Sequence, residues 1–217
     1  MTNPILPGLD IQAGTIFCIG RNYAKHAAEM GANIPKKPVV FLKPVSAICF
    51  DGDSVHLPTQ SSEVHYEGEI VIAIGKSGKN IPESEASSYI SGIGCGIDLT
   101  ARDLQKEAKQ NGLPWSVAKG FDRFAPISSF IPFRNQSLGE LEIRLSVNSE
   151  IRQQEISSTM IFSIPSLISY LSSIFTINPG DLIFTGTPNG VGAIHAGDTI
   201  TSEIPDLGCS VTVSITR

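Results

Sequence analysis

The sequence predicts a β-rich α+β fold, on three observations. Short apolar or alternating segments recur along the chain, few stretches have helical length and pattern, and turn residues separate the rest. At 217 residues the chain is long enough to bury about two-thirds of its unfolded surface, so one self-sufficient core is expected. Hydrophobic residues make up 41% and charged residues 17%, a balance that argues against disorder.

Residues 15–20 (TIFCIG) and 39–42 (VVFL) read as short buried strands. Between them RNYAKHAAEMG has helical length and is closed by Gly31, with Pro35 and Pro38 beyond. Its faces are mostly polar, so this helix is marginal alone and suited to folding over a ligand. VHYEGEIVIAIG (64–75) is expected as a single strand, alternating first and then wholly apolar. A short helix follows over 82–91, and 92–112 runs from a Gly-rich strand into a helix that ends near Gly112. LEIRLSVNSEIRQQ (141–154) alternates about a polar turn at Asn148–Ser149, which predicts a hairpin. A helix is expected over 164–174, then strands joined by Gly-rich turns to the end. No repeat, low-complexity tract or long linker divides the chain.

Several functional classes are excluded at this level. The net charge is −5 and the basic residues are scattered, so no nucleic-acid partner is expected. No run of eighteen apolar residues predicts a membrane span. The amino terminus shows no basic segment followed by an apolar one, which predicts a cytoplasmic protein. Cys18, Cys49, Cys95 and Cys209 form no CxxC pair, so neither a zinc nor a redox site is expected, and buried thiols are the simpler reading.

Glu67 and Glu69 are two apart on the predicted strand and therefore share a face, with His65 in the same row. Two carboxylates side by side facing inward repel unless a cation or donors compensate. A solvated strand end would present the same pattern at no cost. Asp98 ends GIGCGID, an apolar glycine-rich strand with no other charge. It reads either as a helix N-cap or as a third carboxylate beside Glu67 and Glu69. Three oxygen donors would suit a hard cation, Mg²⁺ or Mn²⁺, with positions left for water and substrate. A ligating His65 would instead favour a softer metal.

Six blocks taken in order carry a resemblance: IGRNYAKHAAEMG, KPVVFLKP, VHYEGEIVIAIGK, GIGCGIDLTARDLQ, GLPWSVAKGFD and IFTGTPNGVG. Together they resemble the fumarylacetoacetate hydrolase family, in its small branch of acylpyruvases, oxaloacetate decarboxylases and oxaloacetate tautomerases. The resemblance implies a mixed β-roll like that of the family's C-terminal domain, a homodimer, and metal ligation by Glu67, Glu69 and Asp98. It also implies a short segment over 1–14 before a single catalytic domain over 15–217, without the extra amino-terminal domain of larger members.

His26 and Glu29 are three apart on a predicted helix and can share a face, where a carboxylate makes imidazole a better base. An exposed, idle pair has the same spacing. The resemblance makes these two a catalytic dyad on a lid. Lys119, in WSVAKGFD, lies in an apolar setting that would suit it to polarise a carbonyl; an ordinary surface lysine is the alternative. Gln105 and Arg102 follow Asp98 by seven and four residues, so one helical face could carry all three. The resemblance places Gln105 at the substrate, while Arg102 is as well suited to a local ion pair. GTPNGVG (186–192) lacks GK[ST] and is no phosphate loop, but its N–H groups and the Thr187 hydroxyl could receive a carboxylate, if the segment is not simply a tight turn. Arg21 and Asn22 are implied as contacts to the substrate's far end.

The implied chemistry acts on a small 2-oxo acid. Its carboxylate and 2-oxo oxygens would chelate Mg²⁺, which would stabilise an enolate common to acylpyruvate cleavage, oxaloacetate decarboxylation and oxaloacetate tautomerisation. An isomerase or decarboxylase of longer 2-oxo diacids, or a metal-stabilised binding protein without turnover, remain as alternatives.

Overall fold

The computed structural model describes residues 3–29, 31 and 33–217; Met30, inside the expected lid helix, lies outside the described residues. An eight-stranded sheet forms the centre, ordered from Val39–Lys43 through Ile16–Gly20, Leu182–Phe184, Gly68–Ile74, Ile90–Ile97 and Ala125–Ile127 to Ile48–Phe50, with Ile131–Pro132 paired off the path. A five-stranded sheet packs on one of its faces, and a three-stranded sheet contains Val64–Tyr66. Among the described residues the α-helices are α1 (Ala24–Glu29), α2 (Arg102–Asn111), α3 (Ser116–Lys119) and α4 (Ile164–Ile174).

The middle strand explains the layering. All seven residues of Gly68–Ile74 are buried, as its unbroken apolar run requires. Ile70, Ile72 and Ile74 enter the large core between the two main sheets, whereas Val71 and Ala73 enter a second core on the opposite face. Leu6 and Ala13 close that second core.

The expected helix over 164–174 is α4. Ser163 caps it by accepting from the Ser166 N–H at 3.3 Å, and Ile164, Leu167, Ile168 and Leu171 bury one face. Gly112, at φ +66°, ends α2. The expected helix over 82–91 forms as a 3₁₀ helix, Glu83–Tyr89.

Two expectations are corrected. The strand over 64–75 is interrupted: Val64–Tyr66 belongs to the small sheet, Gly68–Ile74 to the large one, and Glu67 sits where the chain passes between them. Asp98 is not a helix cap, because α2 begins at Arg102 after a separate short strand, Thr100–Ala101.

The hairpin turn carries Asn148 at φ +51° and Ser149 at φ +67°, so a serine occupies a left-handed position. Ser149→Gly is expected to stabilise the chain by about 0.5–1 kcal/mol, since glycine avoids the left-handed penalty but loses more entropy on folding. Thermal denaturation should show a rise of roughly 1–4 °C.

Candidate metal and substrate site

Strand register brings the three acids together. Gly68 pairs with Ile97 and Glu69 with Gly96, and the Asp98 N–H donates to the Glu67 carbonyl at 2.7 Å. One step beyond the ladder therefore sets Asp98 opposite Glu67, with Glu69 next on the same side. One oxygen from each carboxylate lies within 4.8 Å of the others, and the three residues are 5%, 1% and 1% exposed. A solvated strand end is excluded. Gly68, between the two glutamates, has no room for a side chain: a Cβ there would lie 2.9 Å from that of Leu145. His65 stands apart, with Nε2 2.7 Å from Glu63.

Buried cations compensate two of the acids. Lys119 donates to Glu67 at 2.8 Å and to Asp98 at 2.5 Å, and Arg102 donates to Glu67 at 2.5 Å. Burial alone would raise the Glu67 carboxyl, but Lys119 and Arg102 outweigh it and hold the group well below the usual carboxylate range. Burial likewise opposes the charge on Lys119, and Asp98 and Glu67 reverse that, raising its ammonium above the ordinary value. Lys119 is 1% exposed, which rules out the surface reading.

Glu69 is treated differently. Among the described residues its hydrogen-bond donor is the Gly186 N–H at 2.7 Å. Burial, then repulsion from Asp98 and Glu67, pushes its carboxyl well above the usual range. Asp98 Oδ1 is buried without a hydrogen bond, although Lys43 Nζ is 2.8 Å away. The three protons of Lys43 go to the carbonyls of Leu99, Lys119 and Phe124 at 3.0, 2.6 and 2.8 Å. An uncompensated carboxylate and an orphaned carboxylate oxygen, in an all-oxygen set, fit a hard divalent cation.

His26 and Glu29 do pair: Nδ1 lies 3.3 Å from Glu29 Oε2. The Gly190 N–H donates to both oxygens of Glu29, at 3.1 and 3.3 Å. His26 is 5% exposed and lines the cavity that contains the three acids. With Nδ1 turned to Glu29, Nε2 is left for that cavity.

The loop after Phe184 differs from expectation. Its Gly186 and Gly190 N–H groups hold the protein's own Glu69 and Glu29. The Thr187 hydroxyl lines the cavity but donates to the Gly68 carbonyl at 3.0 Å, so its proton is committed and only a lone pair is left to face a ligand. Gly186, at φ +102°, is needed because a Cβ there would meet that of Asn22 at 2.7 Å. Asn22 is the clearest correction. It is fully buried, its amide protons go to the carbonyls of Phe162 and Thr185, and its oxygen accepts from the Phe162 N–H. It ties the chain just before α1 to these loops, and its amide protons are both engaged within the protein.

Arg21, Gln105, Lys109 and Trp115 also line the cavity. Gln105 is buried and accepts from Arg102 at 2.8 Å. Arg21 is held at φ +61°.

Three residues escaped the sequence reading. Lys43 ends an apolar run before a proline, a weak sign of burial. Lys109 lies four residues beyond Gln105 on the same helix, which spacing alone could have flagged. Gln153 gave no signal: from the hairpin it accepts from the Gly68 N–H at 2.9 Å and donates to Thr187 and Pro188 at 2.9 and 2.8 Å.

Comparison with known proteins agrees with this geometry. The family model for the fumarylacetoacetate hydrolase C-terminal domain matches residues 15–213. The mitochondrial oxaloacetate tautomerase FAHD1 of Arabidopsis thaliana is 47% identical over 90% of this chain and 88% of its own. The mitochondrial oxaloacetate decarboxylase of Dictyostelium discoideum is 45% identical over 88% of this chain and 89% of its own. The crystal structure of fumarylpyruvate hydrolase from Pseudomonas aeruginosa, in complex with Mn²⁺ and pyruvate, superposes with a TM-score of 0.91 at 38% identity, covering 96% of this chain and 91% of that one.

Proposed function

Because this chain is an enzyme of the fumarylacetoacetate hydrolase family, we propose that it uses a divalent ion, Mg²⁺ or Mn²⁺, to convert small 2-oxo acids, by tautomerising or decarboxylating oxaloacetate or by cleaving 3-acylpyruvates. The observation that carries this reading is the buried trio Glu67, Glu69 and Asp98, in which, among the described residues, Glu69 has no cation within 4.0 Å and Asp98 Oδ1 no hydrogen-bond donor. The relatives named for oxaloacetate chemistry, and the solved relative that holds Mn²⁺ and pyruvate, support it.

Glu67, Glu69 and Asp98 would hold the ion. When bound, it supplies a Lewis acid for the carboxylate and 2-oxo group of the substrate. The chain's own groups do the rest. Lys119, kept charged by Asp98 and Glu67, sets a fixed positive charge at the cavity wall, where it opposes negative charge growing on a carbonyl oxygen. Gln105, oriented by Arg102, presents its amide protons to the substrate. His26 moves the proton through Nε2: from C3 of oxaloacetate in tautomerisation, or from water in attack on the distal carbonyl of an acylpyruvate. Glu29, fixed by the Gly190 N–H, holds the imidazole in the orientation that this requires.

The test is a set of parallel assays on acetylpyruvate and oxaloacetate with Mg²⁺ or Mn²⁺, following C–C cleavage, decarboxylation and enol–keto exchange separately. Turnover of at least one substrate is expected, lost on chelation and restored by the ion. Full activity in excess chelator would refute the proposal.

A further inference from the structure

The cations at and behind the cavity are of two kinds. Lys43, Lys119 and Arg102 are each within 4.0 Å of a carboxylate of the trio. Lys109 and Arg21 line the same cavity, and neither has a carboxylate within that distance among the described residues. Lys109 lies on the face of α2 that carries Arg102 and Gln105, seven and four residues earlier. It is an exposed residue, but its ammonium is not free: Nζ sits 5.2 Å from the centroid of the Trp115 ring, which itself packs tilted against Phe41, with centroids 5.6 Å apart. Partial burial, then Arg102 and Arg21, push that ammonium down to about 8. A cation held among cations at the mouth of a substrate cavity is complementary to an anion that the protein does not supply.

We propose that Lys109 reads the distal carboxylate of a dicarboxylic 2-oxo acid, and so sets the preference of this enzyme for diacids over 2-oxo acids with an uncharged far end. The inference rests on the function proposed above, which puts the 2-oxo acid end at the trio. Only a second carboxylate on the substrate then gives Lys109 a partner. Arg21, held in a left-handed conformation on the same wall, supports that charge from the loop side.

Two variants test it. Lys109→Met keeps the aliphatic stem and helix propensity but removes the charge; Lys109→Arg keeps the charge. In the Mg²⁺-loaded enzyme, calorimetry compares 2-oxoglutarate with 2-oxobutyrate, and kinetics compares oxaloacetate with acetylpyruvate. In Lys109→Met, affinity for 2-oxoglutarate and kcat/KM for oxaloacetate are expected to fall about ten-fold, and the values for the other two compounds to change less than about two-fold. Lys109→Arg should stay within about three-fold of the parent for all four.

The charged groups that act most on the ammonium are Arg102 of its own helix, Arg21, Glu67 and Lys119 of α3, and of these four Glu67 favours the charged form. The parent's ratio of kcat/KM for oxaloacetate to that for acetylpyruvate should therefore drop as pH rises through about 8, and the Met variant should show no such step. Equal losses for mono- and dicarboxylates, or no loss for either, would overturn the proposal. A parent enzyme that binds and converts none of the four compounds would instead refute the functional reading itself.

Discussion

Glu69→Gln is expected to abolish divalent-ion-dependent turnover while leaving the fold intact. Of the three acids, Glu69 is the one without an ion pair among the described residues, and a glutamine can still accept from the Gly186 N–H. Glu67 is a poorer choice, because its removal leaves Arg102 without a carboxylate and Lys119 with Asp98 alone, and would cost about 3–5 kcal/mol of stability. Loss of a residue that only supports a metal ligand already weakens metal binding by about 10–100-fold, so loss of a charged ligand should exceed that, with activity falling on the order of a thousand-fold. Calorimetric titration with Mn²⁺, turnover and thermal denaturation on the same preparation separate the possibilities. A Gln variant that binds the ion and works at the parent rate would remove the trio from the mechanism.

The second large effect is expected from His26→Ala. Its imidazole is buried against the cavity and is the proposed base, and general base catalysis is worth about 10²–10⁴-fold, so acylpyruvate cleavage and proton exchange at C3 of oxaloacetate should slow by that range. Ion affinity should not change, since His26 lies outside the trio. Glu29→Gln should slow the same steps less, because the Gly190 N–H can still hold an amide oxygen there. If cleavage survives His26→Ala undiminished, the proton is moved by another group.

Much of this architecture was legible in the sequence, for local reasons. The helix over 164–174 carries its own start signal in Ser163 and its own apolar face, and the hairpin at Asn148–Ser149 carries its own turn. The trio was legible in part: paired Glu67 and Glu69, and Asp98 in an apolar, glycine-rich strand, each called for a partner, and the resemblance joined the three. The remainder depends on contacts made across the fold. The break at Glu67 reflects the chain leaving one sheet for another, which no alternation pattern encodes. Asn22 resembles a ligand contact in sequence, yet its amide is taken up by carbonyls 140 and 163 residues away. Lys43 and Gln153 are polar residues whose partners come from distant loops, so their neighbours along the chain say nothing of them.

The trio is fixed by the pairing of two inner strands, while the outer wall is made by one face of α2 and the loop at Arg21. On the roles proposed for these residues, chemistry and appetite are written on separate pieces of the molecule. Descendants of such a scaffold can drift along a single helix toward longer, shorter or uncharged molecules and still inherit the same reactive centre.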